Sequence, residues 1–383
     1  MKKAAAACLA LLLVIALAGC DFNLAALLRK EPDWDNITVE PLTTGSPFKY
    51  YFSQLGNKEK QAYNNVLETI GEMPGEVEIP YLDEEELTTF FKALLYDNPE
   101  LFFLGRSCNI SIKGLKSFFV PEYVMDKEEY AQKKAMLDKE AAAVAGAVAG
   151  TDAEKELAVH DWLVDNVSYE TGETGSESDA FGAIVEKKAA CEGYAKAAKL
   201  LFDLTGVECY VVSGVSKAFA EQPENHMWNI VNIGGDYYHL DVTWDDPINQ
   251  TGAGEPRYAY FNLTDEEISK THSGYQSANA CAATRENYFV KNGLYFEGYN
   301  ENTEKSIARG IAAAAEKGRK HLEVKFGSAK TYGTAYKKLF KDEKIYEVLT
   351  AADKASRKNI VRHSVSYIQN ETFQILEIIF ETA

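Results

Sequence analysis

A run with helical spacing opens on Cys191 and closes near Gly206, and two strand-like runs follow it, meeting at Gly234-Gly235. From Cys191 to Phe202 the apolar residues fall at 194, 195, 198, 201 and 202, one face of a helix. Gly-Gly between two such strands predicts a two-residue hairpin turn. A chain with this order has to lay one face of a helix on an antiparallel ribbon, which restricts it to α+β architectures.

The turn also sets a register. With two residues in the turn, His226 faces Thr243 and Asp241 faces Trp228, so His226 and Asp241 are diagonal neighbours on one side of the ribbon. Diagonal partners lie roughly 7–8 Å apart, within reach of an imidazole and a carboxylate. A four-residue turn keeps this parity, whereas a three-residue turn would separate the two faces.

Cys, His and Asp in this order are what a thiol nucleophile needs. The thiolate attacks, and a neighbouring imidazole and a helix N-terminus both favour it over the thiol. Cys191 falls in the first turn of its helix, where backbone N–H groups favour an anion. His226 is then the base that takes the proton and later protonates the leaving group, while Asp241 orients the ring. The Cys191 N–H and a second donor, for which Tyr169 is the candidate, would meet the oxyanion. Tyr194, Trp228 and Trp244 are expected to shape the cleft. His239 and His160 compete for the role of base, since His239 shares the Asp241 face. Cys209 reads as a strand core residue. Asp236, Asp245 and Asp246 lack the alternating spacing of a calcium loop, so neither metal nor other cofactor is expected.

Four stretches carry a resemblance: HDWLVDNVSYE (160–170), DAFGAIVEKKAACEGYAKAAKLLFDLTGVECYVVSG (179–214), HMWNIV (226–231) and YYHLDVTWDDP (237–247). Together they resemble the transglutaminase-like superfamily of thiol enzymes with a papain-like fold, over about a quarter of the chain. The resemblance implies that Cys191, His226 and Asp241 form the triad, and it selects His226 over the competing histidines. It also implies a core in which the Cys-bearing helix packs on an antiparallel sheet bearing His and Asp. One departure is Met227, where the family has alanine after the motif histidine.

The other end of the chain bears on location. Lys2-Lys3, the apolar stretch from Ala4 to Ala18 and Leu17-Ala18-Gly19-Cys20 resemble a bacterial lipoprotein signal. The stretch is too short to span as a stable helix. The resemblance implies cleavage before Cys20, lipidation of its thiol, and an exported protein anchored to the membrane without spanning it. With 40 basic against 58 acidic residues the net charge is −18, a surface that repels nucleic acid. The expected partners are the membrane and a peptide or protein substrate at the cell envelope. Of the six cysteines, Cys108, Cys191, Cys209 and Cys281 remain once the signal segment and Cys20 are set aside, too few for a disulfide framework. If Cys191 stays free, Cys108–Cys281 is the candidate bridge.

The chain divides into a signal peptide (1–19), a tether (20–45), a mostly helical N-terminal region (46–150), a catalytic domain (151–290) and a small α+β C-terminal domain (291–383). Helices are predicted over about 57–72, after Asp83 to before Pro99, and over about 126–148. A strand-like stretch, 101–120, intervenes. Thr151 with Glu154, and Thr264 with Glu267, have capping-box spacing.

A Cys-His-Asp site attacks an acyl carbon, usually of an amide, and forms a thioester. An amine acceptor then gives acyl transfer, and water gives hydrolysis. Transfer demands an amine-binding channel, to which no residue can be assigned, so hydrolysis is favoured. The alternative class is a surface binding or scaffold module that keeps the fold without turnover.

Overall fold

The computed structural model describes residues 32–172, 175–217, 223–246 and 255–383. The expected signal peptide, the lipidation site Cys20 and the first part of the tether lie outside the described residues. Contacts divide the chain into two compact units: the chain up to Gly235 with His272–Ala278, and Asp236–Thr271 with Asn279–Ala383.

The first unit begins with helices α1 (Tyr50–Gln54), α2 (Asn57–Thr69) and α3 (Glu84–Asp97). Asp83 caps α3 through the Glu86 N–H, and Glu86 returns the bond in a capping box. Leu87, Phe90, Phe91, Leu94 and Leu95 are all buried on one face, as their spacing predicts. The strand-like stretch is a hairpin, β2 (Leu104–Lys113) and β3 (Lys116–Tyr123), and β1 (Val77–Ile79) pairs with β3 in a three-stranded antiparallel sheet. Phe119 of β3 meets Phe90 edge-on at 5.5 Å.

Two longer helices follow, α4 (Lys127–Ala147) and α5 (Asp152–Asn166), the second opened by the Thr151–Glu154 capping box. A short parallel pair, β4 (Ser168–Tyr169) and β5 (Lys188–Ala189), leads directly into α6 (Cys191–Thr205). Gly206, at φ +76°, ends α6, and the Val207 N–H returns to the Phe202 carbonyl at 2.9 Å. Only a residue at ease with positive φ closes a helix this way. Strands β6 (Cys209–Ser216) and β7 (Glu224–Ile233) pair antiparallel, with His226 opposite Gly214 and Trp228 opposite Val212. The short strand His272–Ser273 covers the other edge of β6. One hydrophobic core runs from Phe52 through α2, α3 and β3 to Ala195 of α6 and Val211 of β6.

In the second unit, β8 (Asp236–Leu240) pairs with β9 (Phe261–Leu263). A four-stranded sheet follows, built from β10 (Tyr295–Phe296), β11 (His321–Phe326), β12 (Ile360–Asn370) and β13 (Ile375–Thr382) in the order β10-β11-β13-β12. Helices α7 (Glu301–Glu316), α8 (Ala329–Tyr336) and α9 (Ile345–Ala355) alternate with these strands. The molecule is thus mixed helix and sheet, as expected.

The cysteine expectation needs correction. Cys108, Cys191, Cys209 and Cys281 are all buried and none is in a disulfide, so the Cys108–Cys281 bridge does not form. Cys108 sits in β2 within the core of the first unit, whereas Cys281 belongs to the second, where its N–H donates to Asp265 at 2.8 Å. Burial pushes both thiols up to about 12.

Candidate active site

The first turn of α6 is held by backbone, not by a side-chain cap. Ala190 occupies the N-cap with extended backbone and a methyl group that can accept no hydrogen bond. Its N–H donates to the Glu177 carbonyl at 2.8 Å. The third residue of the run has to be glycine: a Cβ on Gly193 would lie 2.4 Å from that same carbonyl oxygen and 2.9 Å from the Ala189 methyl. The segment around Glu177 therefore packs directly on the turn that presents Cys191.

Cys191 and His226 line one cleft of about 890 Å³, although each is nearly buried, 4% and 5% exposed. Lys92 and Tyr96 of α3, Arg106 of β2 and Ser213 of β6 contribute to the same cleft. The His226 ring lies nearly parallel to Trp228 at 5.9 Å, the neighbour two residues on that shares its face of β7. It also lies 5.2 Å from the ring of His272. Gly214 gives this cluster room, since a Cβ there would meet the Ser273 carbonyl at 2.5 Å and the Trp228 ring at 2.9 Å.

Two carboxylates and a phenol set the local electrostatics. Glu192, beside the thiol, accepts from Arg106 at 2.6 Å and from Lys196 at 2.8 Å, so its charge is balanced twice. Burial pushes the Tyr96 hydroxyl up to about 12, helped by the charges of Glu192 and Cys191 and opposed by a hydrogen bond with Ser213. Burial likewise pushes Asp179 up to about 7, against the hydrogen bond its Oδ1 accepts from the Gly182 N–H at 2.9 Å. At the far end of α6, buried Lys199 holds Asp203 at 2.5 Å and donates to Ser46 Oγ at 2.6 Å and the Phe48 carbonyl at 3.1 Å. This ties the helix to the segment that precedes α1.

Asp241 belongs to the second unit. Strand β7 ends at Ile233 and β8 begins at Asp236, with Gly234 at φ +62° and Gly235 at φ +91°, the two-residue turn that the dipeptide predicts. The expected register stops short of Thr243, however. The strand ends at Leu240, and Asp241, fully buried, becomes the N-cap of a single helical turn, Val242–Asp245, its Oδ1 accepting the Trp244 N–H at 3.2 Å. Aspartate competes with strand pairing by bonding the backbone ahead of it, which strand periodicity does not register.

The rival histidines have partners of their own. His160 is buried on α5 with Nδ1 3.0 Å from Asp161, and His239 is buried with Nε2 2.9 Å from Asp265. His272, beside His226, is a third imidazole that sequence reasoning did not single out, because it arrives on a strand of two residues with no pattern to announce it. Tyr169 is half-buried in β4, paired with Ala189 two residues before Cys191. Tyr194 is buried, and its hydroxyl donates to the Val167 carbonyl at 2.9 Å. It anchors α6 to the end of α5 rather than facing the cleft. Trp228 backs His226, and Trp244 is half-buried in the second unit.

Residues 141–242 match the transglutaminase-like superfamily. This stretch is similar to a transglutaminase-like domain. The kyphoscoliosis peptidases of mouse and human are 28% and 29% identical over 124 residues, 29% of this chain and 19% of each relative. The chain thus spans about a fifth of the length of the curated relatives it matches. Among solved structures, a protein of Cytophaga hutchinsonii provisionally described as a cysteine protease is 20% identical over 37% of this chain and 54% of its own, with a TM-score of 0.25. A TGase is 16% identical over 47% of this chain and 52% of its own, with a TM-score of 0.27.

The transglutaminase-like stretch takes in Cys191, His226 and Asp241, but the other wall of the cleft, from α3 and β2, lies before it. In the second unit, one ligand atom each from His239, Asp265 and Cys281 lie within 4.8 Å of one another. That donor set could hold a divalent cation. In this structure the Asp265 carboxylate joins the other two by hydrogen bonds.

Proposed function

We propose that the protein is an exported, membrane-anchored thiol enzyme that acts on peptide or protein amides through Cys191, His226 and Asp241. The observation that carries this reading is that Cys191, in the first turn of α6, and His226, on β7, line one cleft. Asp241 completes the triad by orienting the imidazole, in keeping with the two-residue turn between β7 and β8.

Cys191 Sγ attacks the carbonyl carbon while His226 takes its proton. The tetrahedral oxyanion is met by the N–H of Cys191 and by Tyr169, and it collapses as His226 passes the proton to the departing amine. The thioester left on Cys191 is cleaved by water, which His226 deprotonates, releasing a carboxylic acid and the free thiol. An amine in place of water would give transfer. Hydrolysis is the favoured outcome, in line with the peptidase names of the mouse and human relatives. Lipidation of Cys20 would hold the enzyme at the envelope, where its substrates are peptides or proteins.

The test incubates the purified protein with a glutamine-donor peptide and a labelled amine and follows ammonia release, amine incorporation and peptide cleavage separately. Cleavage or ammonia release that vanishes in Cys191→Ser is the expected result. Absence of all three, with Cys191 unmodified by a thiol-reactive probe, would sink the enzymatic reading and leave a binding module.

A further inference from the structure

Thr88, Lys92 and Tyr96 recur every four residues on α3, and all three line the cleft that holds Cys191. Leu87, Phe90, Phe91, Leu94 and Leu95 fill the core from the rest of the helix, and Tyr96 belongs to both the core and the cleft lining. Lys92 is half-buried there, with Nζ 5.2 Å from the Tyr96 ring centroid and 5.4 Å from that of Tyr51. Among the described residues no carboxylate lies within ion-pair distance of it. Burial lowers its pKa, with no opposing carboxylate to raise it.

A half-buried ammonium without a counter-ion is costly, and two aromatic faces offset only part of that cost. Glu192, which lines the same cleft, is shared between Arg106 and Lys196. In a chain with a net charge of −18, an uncompensated cation in the cleft that holds the nucleophile marks a place where an anion is supplied from outside.

We propose that Lys92 is a specificity-determining residue that binds a carboxylate of the substrate close to the amide attacked by Cys191. This rests on the thiol-enzyme reading and narrows it to acidic peptides. The ammonium forms a charge-assisted hydrogen bond to the carboxylate, and Tyr51 and Tyr96 hold the lysine stem in place.

The test uses three probes with one reacting group: N-iodoacetyl-glutamate amide, N-iodoacetyl-glutamine amide, and N-iodoacetyl-glutamine with a free terminal carboxylate. Their rates of Cys191 alkylation are read by mass spectrometry and divided by their rates with a small free thiol. The expected result is that one carboxylate-bearing probe is favoured over the neutral one by about five-fold or more. The two acidic probes separate a side-chain from a terminal carboxylate. Lys92→Met should abolish the preference, and Lys92→Arg should restore most of it. Equal rates for all three probes in the unaltered protein, with rapid labelling at pH 6, would overturn the inference and leave the thiol enzyme standing. So would a preference that survives Lys92→Met. Failure of every probe to label Cys191 below the free-thiol range would bring down the inference together with the reading beneath it.

Discussion

At the residue scale, the proposed chemistry turns on what stands beside Cys191. Replacing it by serine should abolish turnover and probe labelling together, whereas His226→Gln should retain the thiol but lose labelling at low pH. Rates of alkylation from pH 5 to pH 9 check both. Gly193→Ala should destabilise the fold by about 1–3 kcal/mol, since the new methyl would press on the Glu177 carbonyl and the loop behind it would have to move. A urea titration reads this directly. Cys191, His226 and Gly193 were legible in the sequence to different degrees. Cys191 stood at the head of a patterned helix and His226 in a strand motif, but Gly193 reads as an ordinary weak helix residue until the Glu177 backbone is seen against it. His272 and Lys92 were not legible, because their place beside the site depends on contacts between distant segments.

At the element scale, α6 is gripped at both ends, by the Glu177 segment at its start and by Lys199 at its finish. Lys199→Met would leave Asp203 buried without its cation, and a loss of about 3–5 kcal/mol is expected from denaturant unfolding. Asp179, in the segment against the first turn, gives a pH signature. Its carboxyl is raised from an ordinary 3.8 to about 7, so between those values the folded state keeps a proton that the unfolded state releases. The stability it contributes is present below about pH 4 and lost as the pH rises through about 7. Asp179→Asn should flatten that part of the profile, read as the difference in urea midpoint between pH 5 and pH 8. Helix ends and apolar faces followed their sequence signals closely: Asp83, Thr151 and Gly206 stand where the caps were expected. The second strand of the hairpin did not, because Asp241 prefers capping a helical turn to continuing the strand.

At the scale of the whole molecule, no helix among the described residues is long and apolar enough to cross a membrane. The proposed anchoring rests on Cys20, and Cys20→Ala should release the protein from the membrane fraction, as blotting of fractionated cells would detect. The transglutaminase-like stretch was readable from spaced motifs, while the contribution of the N-terminal region to the cleft was not. Its polar α3 face has the pattern of a solvated one, and only the shared core with α6 and β6 turns it inward. The most direct measurement of the central claim is the pH dependence of alkylation at Cys191, followed on the intact protein with Cys108 and Cys281 as internal controls. Cys191 should react well below the free-thiol pKa of about 8.5, and His226→Gln should move its inflection up toward that value. An inflection at or above 8.5 in the unaltered protein, unmoved by His226→Gln, would contradict a nucleophile activated by imidazole.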